Sequence, residues 1–540
     1  MATPAQDEKS LQAGDKSVRT ATWRHPRHRT SVLDRPGVLR TFGPIAAVGA
    51  LCGVLLYRLQ PDVHGKAYYE DEAIAGLIAM RPLPEVLDTV LVDRGGAPLH
   101  FVLAHAAFWL DASAESLRWL SVLAALAVVP LCFDLARRLA GPLAGIVAAA
   151  VAASSTALAV YGSFGRMYSL YVLAAALFAD LFVRALHRRT VGSVAAASAA
   201  AWLLPAVHPY GAILAFAGLV TAALMWRGRA LRTAWPVALA VVAAIPFLVA
   251  DLRLADRASV GGGGETLASP GEARAELVAA LSSFAGGDGL PFLFFVVLAL
   301  AGTVLAARRD RAFAVLVASI ALPPLLFVIV RSGSPADLSP RHLFYGLPLW
   351  AAAIGVAASR LPVAAAALLA LIALTSPASA LRDPRELGLA SIATGDAPEV
   401  HARENDLLLP YAAVFLAALP DVREGVALPH GPGDDVLRAL DHVDEPIGTI
   451  YLAVPTEPWT VRVLPGPFDK AEALRAALGD ADRYASTPNF PGWREWLEPG
   501  LCEALRRYTG APWQANASRS RSSPATRAAP LRPAACAATG

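Results

Sequence analysis

Charge is what this chain has least of. Only 17% of its 540 residues are Asp, Glu, Lys or Arg, well below the share with which a soluble protein covers its surface. That excludes an ordinary soluble enzyme, a nucleic-acid binder and a disordered acidic or basic chain. Lysine is scarce, so arginine carries the positive charge. Cysteine is scarce too, at four in the chain, which excludes a disulfide-built scaffold. Cys52 and Cys132 fall in apolar runs, whereas Cys502 and Cys536 can pair if the C-terminal part lies on an oxidising side. No spaced His/Asp cluster stands out as a metal site, and no cofactor is expected. The N-terminus lacks the short apolar core and small-residue cleavage site of a signal peptide.

What is present is apolar sequence in long blocks. Hydrophobic residues make up 55% of the chain, and the blocks are too long and continuous for amphipathic surface helices. The expected fold class is a polytopic α-helical membrane protein. Residues 1–40 read as a disordered, basic cytoplasmic tail, and residues 41–59 as the first span. The apolar stretch 98–110 is too short to cross and is placed as an interfacial or re-entrant helix on the outer side. With it excluded, Arg137-Arg138, Arg188-Arg189 and Arg308-Arg309 all fall at inner turns, as the positive-inside rule demands. The result is about eleven transmembrane helices over residues 41–375, with external loops 60–116 and 251–289.

Beyond residue 376, charge and proline rise and spanning runs disappear. Short apolar runs such as 406–410 and 448–455 read as strands. A small extracytoplasmic α/β domain is expected over 376–514, followed by a disordered tail, 515–540. Gly261-Gly262-Gly263-Gly264 follows no strand and precedes no Lys-Ser/Thr, so it reads as flexible loop rather than phosphate cradle.

Polar groups gather on the expected outer face. Tyr68-Tyr69-Glu70-Asp71-Glu72 follows the first span, and Arg166 and Tyr168 sit where the chain turns back in. His208-Pro209-Tyr210 occupies the next outer turn, and Arg341-His342 the last. A carboxylate facing two arginines at a membrane surface suits one chemistry well. The carboxylate deprotonates a hydroxyl, and the guanidiniums hold a phosphate or diphosphate leaving group. His100 and His105 lie on the short interfacial helix. Asp180 falls inside a span, where an ionisable group marks function by default, but Arg184 one turn later can pair with it.

The order of these motifs resembles a family. An Asp-Glu pair in the first external loop (Asp71-Glu72), a Pro-Leu-aromatic segment (Pro98-Leu99-His100-Phe101), Arg166-Met167-Tyr168, and Pro340-Arg341-His342-Leu343 with Pro348 downstream are similar to GT-C-type integral membrane glycosyltransferases. The bacterial group related to protein O-mannosyltransferases and the lipid A aminoarabinose transferase is the branch most resembled. Two positions depart from its pattern: Ala97 precedes Pro98 where two prolines are usual, and His342 follows Arg341 where tyrosine is usual.

The resemblance implies an inverting sugar transfer from a polyprenyl-phosphate donor to a hydroxyl acceptor at the outer face of a bacterial plasma membrane. Asp71 would be the general base and Glu72 its supporting partner. Arg166, Arg341 and His342 would bind the donor phosphate, and Tyr69, His100, Tyr168, His208 and Tyr210 would line the substrate. The implied partners are the lipid-linked donor, a lipid, glycan or protein acceptor, and membrane lipids, with no nucleic acid. The alternative from another class is a transporter or flippase of lipid-linked glycans. It predicts mid-membrane ionisable groups and internal repeats, of which the sequence offers only Asp180.

Overall fold

The computed structural model describes residues 36–65, 70–79, 81–93, 97–110, 114–226, 235–254, 270–329 and 338–375, together with parts of the region from 407 to 507. Most of the basic tail, the Gly261–Gly264 stretch and the 515–540 tail lie outside the described residues. The chain divides into two units, Met1–Ala46 and Ala47–Gly540. In the first, the described part is the opening of α1 (Pro36–Gly65). This helix starts five residues before the predicted span, with Pro36 in the first turn, where a missing N–H costs nothing.

The second unit continues with α2 (Glu70–Ala79), α3 (Leu83–Asp93), α4 (Leu99–Leu110), α5 (Ala114–Ala140), α6 (Pro142–Ser154), α7 (Thr156–Tyr161), α8 (Tyr168–Arg188) and α9 (Val191–Val207). After these come α10 (Gly211–Trp226), α11 (Trp235–Leu254), α12 (Pro270–Phe284), α13 (Leu290–Ala307), α14 (Arg311–Ala318), α15 (Leu322–Ile329), α16 (Leu347–Ala358) and α17 (Val363–Thr375). Among the described residues, five helices are long and apolar enough to cross a membrane: most of α1, α5, α8, α11 and α13. Several other apolar helices are shorter, α4 among them. The protein is a multi-pass membrane protein.

Three predicted segments differ in detail. The span expected at 142–161 is two helices, broken at Ser155, whose backbone is extended and whose hydroxyl donates to the Ser283 carbonyl (2.9 Å). The span expected at 312–330 is α14 and α15, joined by a 3₁₀ turn at Ser319–Ala321 ahead of Pro323-Pro324. The expected external loop 251–289 contains α12, which opens on Pro270 with Glu272 in its first turn, both good helix starters.

The helices pack through alanine and glycine. Every residue of α16 is buried, and the helix lies against α5, α6, α8 and α13. A Cβ added to Gly302 of α13 would fall 1.8 Å from the Ala353 carbonyl oxygen. One added to Gly355 would fall 2.3 Å from that of Ala144. Backbones this close replace side-chain interdigitation as the source of van der Waals contact, a common device in membrane helix bundles.

The 3₁₀ segment Pro340–Gly346 leads into α16 and packs against α8 and α12. In the C-terminal region, β1 (Leu407–Leu408), β2 (Val426–Ala427), β3 (Ile447–Val454) and β4 (Thr460–Phe468) form a sheet of order β2-β1-β3-β4. β1 runs parallel to β2 and β3, and β4 antiparallel to β3. Cys502 is disulfide-bonded while Cys52 and Cys132 are free; Cys536 lies outside the described residues.

Candidate active site

The acidic cluster opens α2, where Glu70, Asp71 and Glu72 occupy the first turn. Carboxylates there oppose the positive end of the helix dipole. Tyr69 and the Asp71 side chain lie outside the described residues. Glu72 is fully buried. Its two oxygens take a bidentate pair from Arg118 of α5, at 3.0 Å from Nε and 2.9 Å from Nη2. The Gly165 amide donates to the same carboxylate at 2.7 Å. Arg118 is equally buried and also donates to the carbonyls of Asp62 and Val63.

Arg166 follows Gly165 in the turn between α7 and α8, with its guanidinium 5.9 Å from the centre of the Phe101 ring. Phe101 in turn meets His100 edge-on. Arg341, on the 3₁₀ segment, stands 5.8 Å from the centre of the Tyr168 ring. A cation over an aromatic face is attracted by the ring quadrupole.

Between the two arginines lies a cluster of rings. His208, at the C-terminal cap of α9, stacks on Tyr171 at 4.6 Å and 14° and lies 5.6 Å from His342. His342 stacks on Tyr210 at 4.6 Å and 5°. Tyr168 is 6.1 Å from His208. Residues from four separate turns of the sequence therefore meet here: Arg166/Tyr168, His208/Tyr210, Arg341/His342, and His100 beside Arg166.

The histidine tautomers follow from geometry. The Tyr210 amide donates to His208 Nδ1 (3.3 Å), and the Ser339 amide donates to His342 Nδ1 (3.1 Å). A backbone amide only donates, so a neutral ring at either place carries its proton on Nε2. Burial, and then the positive charges of Arg341 and Arg166, push the pKa of His208 down to about 3. Burial and Arg166 push His100 down to about 3, against a small opposing pull from Gly165. His100 is 1% exposed, and the Gly165 backbone is the polar group nearest in effect to its ring. His105, by contrast, bonds the Ala79 carbonyl at 2.8 Å, a structural contact.

Sequence spacing did not reveal Arg118, Ser121, Tyr171 or Asp251. Arg118 opens a long apolar run and looks like any interfacial arginine. Asp251, near the end of α11, has both carboxylate oxygens shielded and, among the described residues, no hydrogen-bond partner. Asp180 pairs with Arg184 as the i,i+4 spacing predicts, and also with Arg138 of α5 at 3.0 Å. Among the described residues, no three His, Cys, Asp or Glu side chains gather to hold a metal ion.

No family model matches the sequence, and no curated protein sequence matches it. Among solved structures, the chain aligns with ArnT from Cupriavidus metallidurans in the apo state at 17% identity and TM-score 0.44, over 60% of this chain and 60% of that one. ArnT bound to undecaprenyl phosphate aligns at the same identity and TM-score, over 60% and 61%. The apo oligosaccharyltransferase of Archaeoglobus fulgidus aligns at 11% identity and TM-score 0.43, over 77% of this chain and 70% of that one. The chain thus spans about 60% of the ArnT length. Both proteins are GT-C membrane glycosyltransferases.

Proposed function

We propose that the protein is an inverting membrane glycosyltransferase that moves a sugar from a polyprenyl-phosphate donor to a hydroxyl acceptor. The observation that carries this is the cluster of Tyr168, His208, Tyr210 and His342, with Arg341 over the Tyr168 ring and Arg166 over Phe101. Two guanidiniums brought together around neutral rings form a site for an anion. His208 and His342, each with Nδ1 occupied by a backbone amide, add neutral Nε2–H donors suited to phosphate oxygens.

In this mechanism Asp71 removes the proton from the acceptor hydroxyl as its oxygen attacks the anomeric carbon. The bond between that carbon and the phosphate oxygen breaks, and its electron pair leaves with the polyprenyl phosphate. Arg166 and Arg341 stabilise the departing charge, so no strong general acid is needed. Glu72, engaged with Arg118 and Gly165, acts as a structural support for Asp71 rather than as a second base. Tyr69, His100, Tyr168 and Tyr210 contact the sugar and its carrier. The arginine-rich inner turns and the disulfide at Cys502 support an N-terminus in the cytoplasm and a site on the extracytoplasmic face of a bacterial plasma membrane.

The test is sugar transfer by purified protein in detergent, using radiolabelled polyprenyl-phosphate sugars and membrane acceptors. Asp71→Asn is expected to abolish transfer while leaving donor binding intact. Equal turnover in both proteins removes Asp71 from the mechanism. A folded protein that binds no donor across a broad panel moves the assignment to transport of lipid-linked glycans.

A further inference from the structure

Four hydrogen bonds hold the short peptide stretch that carries Arg166. The Gly165 amide is fixed by Glu72 at 2.7 Å. The Ser121 hydroxyl reaches the Phe164 carbonyl at 2.6 Å and the Arg166 carbonyl at 3.3 Å. The Arg166 amide closes back on the Phe164 carbonyl at 2.7 Å. Ser121 lies one helical turn from Arg118 on the same face of α5, and Arg118 is the residue that clamps Glu72. A single face of α5 therefore holds both the helix whose first turn carries Asp71 and the turn that carries Arg166.

The fit at Gly165 is close. A Cβ there would lie 3.2 Å from Glu72 Oε1 and 3.2 Å from Leu117 Cβ, so alanine requires the turn or the Glu72 carboxylate to shift. A buried ion pair made only for stability has no need to end on the residues immediately beside a base and a phosphate ligand.

We propose that Arg118, Ser121 and Gly165 are positioning residues that fix the Arg166 guanidinium relative to the start of α2, and so align the donor phosphate with the base. The proposal rests on the phosphate-binding role given to Arg166 above. Displacements of about 1 Å in such an arrangement are enough to cost one to two orders of magnitude.

The experiment is a double-mutant cycle on the binding of undecaprenyl phosphate to the full-length protein in detergent. Gly165→Ala and Ser121→Ala are each expected to weaken binding, Gly165→Ala by about tenfold, and Ser121→Thr to restore most of what Ser121→Ala loses. In an Arg166→Gln background neither substitution is expected to weaken binding further, because the residue they position is gone. Losses that add fully to that of Arg166→Gln, or wild-type binding by both single variants, overturn the positioning role and leave the assignment of Arg166 intact. Wild-type binding by Arg166→Gln itself overturns that assignment, and the positioning role with it. Should Gly165→Ala fail to fold, Ser121→Ala and Arg118→Lys, which keeps the charge but loses the fork, complete the cycle.

Discussion

Helices α5 and α8 each join two clusters of charge that are built on opposite principles. Arg118 lies near the start of α5 and Tyr168 opens α8, beside the proposed site; Asp134, Arg137 and Arg138 lie at the far end of α5, and Asp180 and Arg184 at the far end of α8. Twenty residues of helix separate Arg118 from Arg138, about 30 Å. At the far end, Asp134 bonds Arg137, Arg138 and Arg184, and Asp180 bonds Arg138 and Arg184. Three arginines share two aspartates there, and the guanidiniums remain more than a quarter exposed. At the near end one carboxylate and one guanidinium are sealed together at 0% and 2% exposure, while Arg166 and Arg341 lie over aromatic rings. Redundant, half-wet pairs tie helices together; a sealed pair fixes the backbone beside the proposed site.

Removing one partner from each cluster sharpens that contrast. Arg118→Ala leaves the Glu72 carboxylate buried with its main partner gone, and is expected to cost about 3–5 kcal/mol. The measurement is denaturant unfolding in detergent, with poor expression as the extreme result. Asp180→Asn leaves Arg138 and Arg184 still bonded to Asp134, and is expected to cost only about 1–2 kcal/mol. Arg137→Ala, at an exposed position, should change stability by less than about 1 kcal/mol. If the order reversed, the sealed pair would not be the stronger element, and the comparison would fail.

Acid separates the two ends in a different way. His100 and His208 have folded-state pKa values near 3, against about 6.5 in an unfolded chain. Between those values the unfolded state binds protons that the folded state refuses, so stability must fall with pH. The contribution is complete above about pH 6.5, declines as pH drops towards 3, and is flat below that. Melting in detergent across this window should show the loss, and His100→Gln with His208→Gln should flatten it. An unchanged slope in the double variant would show that other groups carry the acid sensitivity.

The membrane class and the helical architecture were legible in the sequence because apolar run length and arginine placement are local signals. Asp180–Arg184 was legible for the same reason, being one turn apart. Arg118–Glu72 was not, since 46 residues separate the partners and either alone reads as an interfacial charge. The meeting of His208 with His342 depends on how α8, α9 and the 3₁₀ segment pack, which no spacing encodes. The helix α12 is legible within the expected loop 251–289, since Pro270 and Glu272 mark its start.

Pro348 sets the phase of the 3₁₀ segment Pro340–Gly346. It has no N–H to offer the Phe344 carbonyl four residues back, and its ring crowds that carbonyl. The carbonyl accepts instead from the Leu347 amide, three residues on, and the tighter pitch persists through Pro340–Gly346. A 3₁₀ helix advances about 120° and 2.0 Å per residue where an α-helix advances about 100° and 1.5 Å. Over seven residues the two pitches diverge by roughly 140° of azimuth and about 3.5 Å of length. The proline thus works as a gear between α16 and the segment ahead of it, and it helps set the direction in which Arg341 and His342 face from six to seven positions downstream.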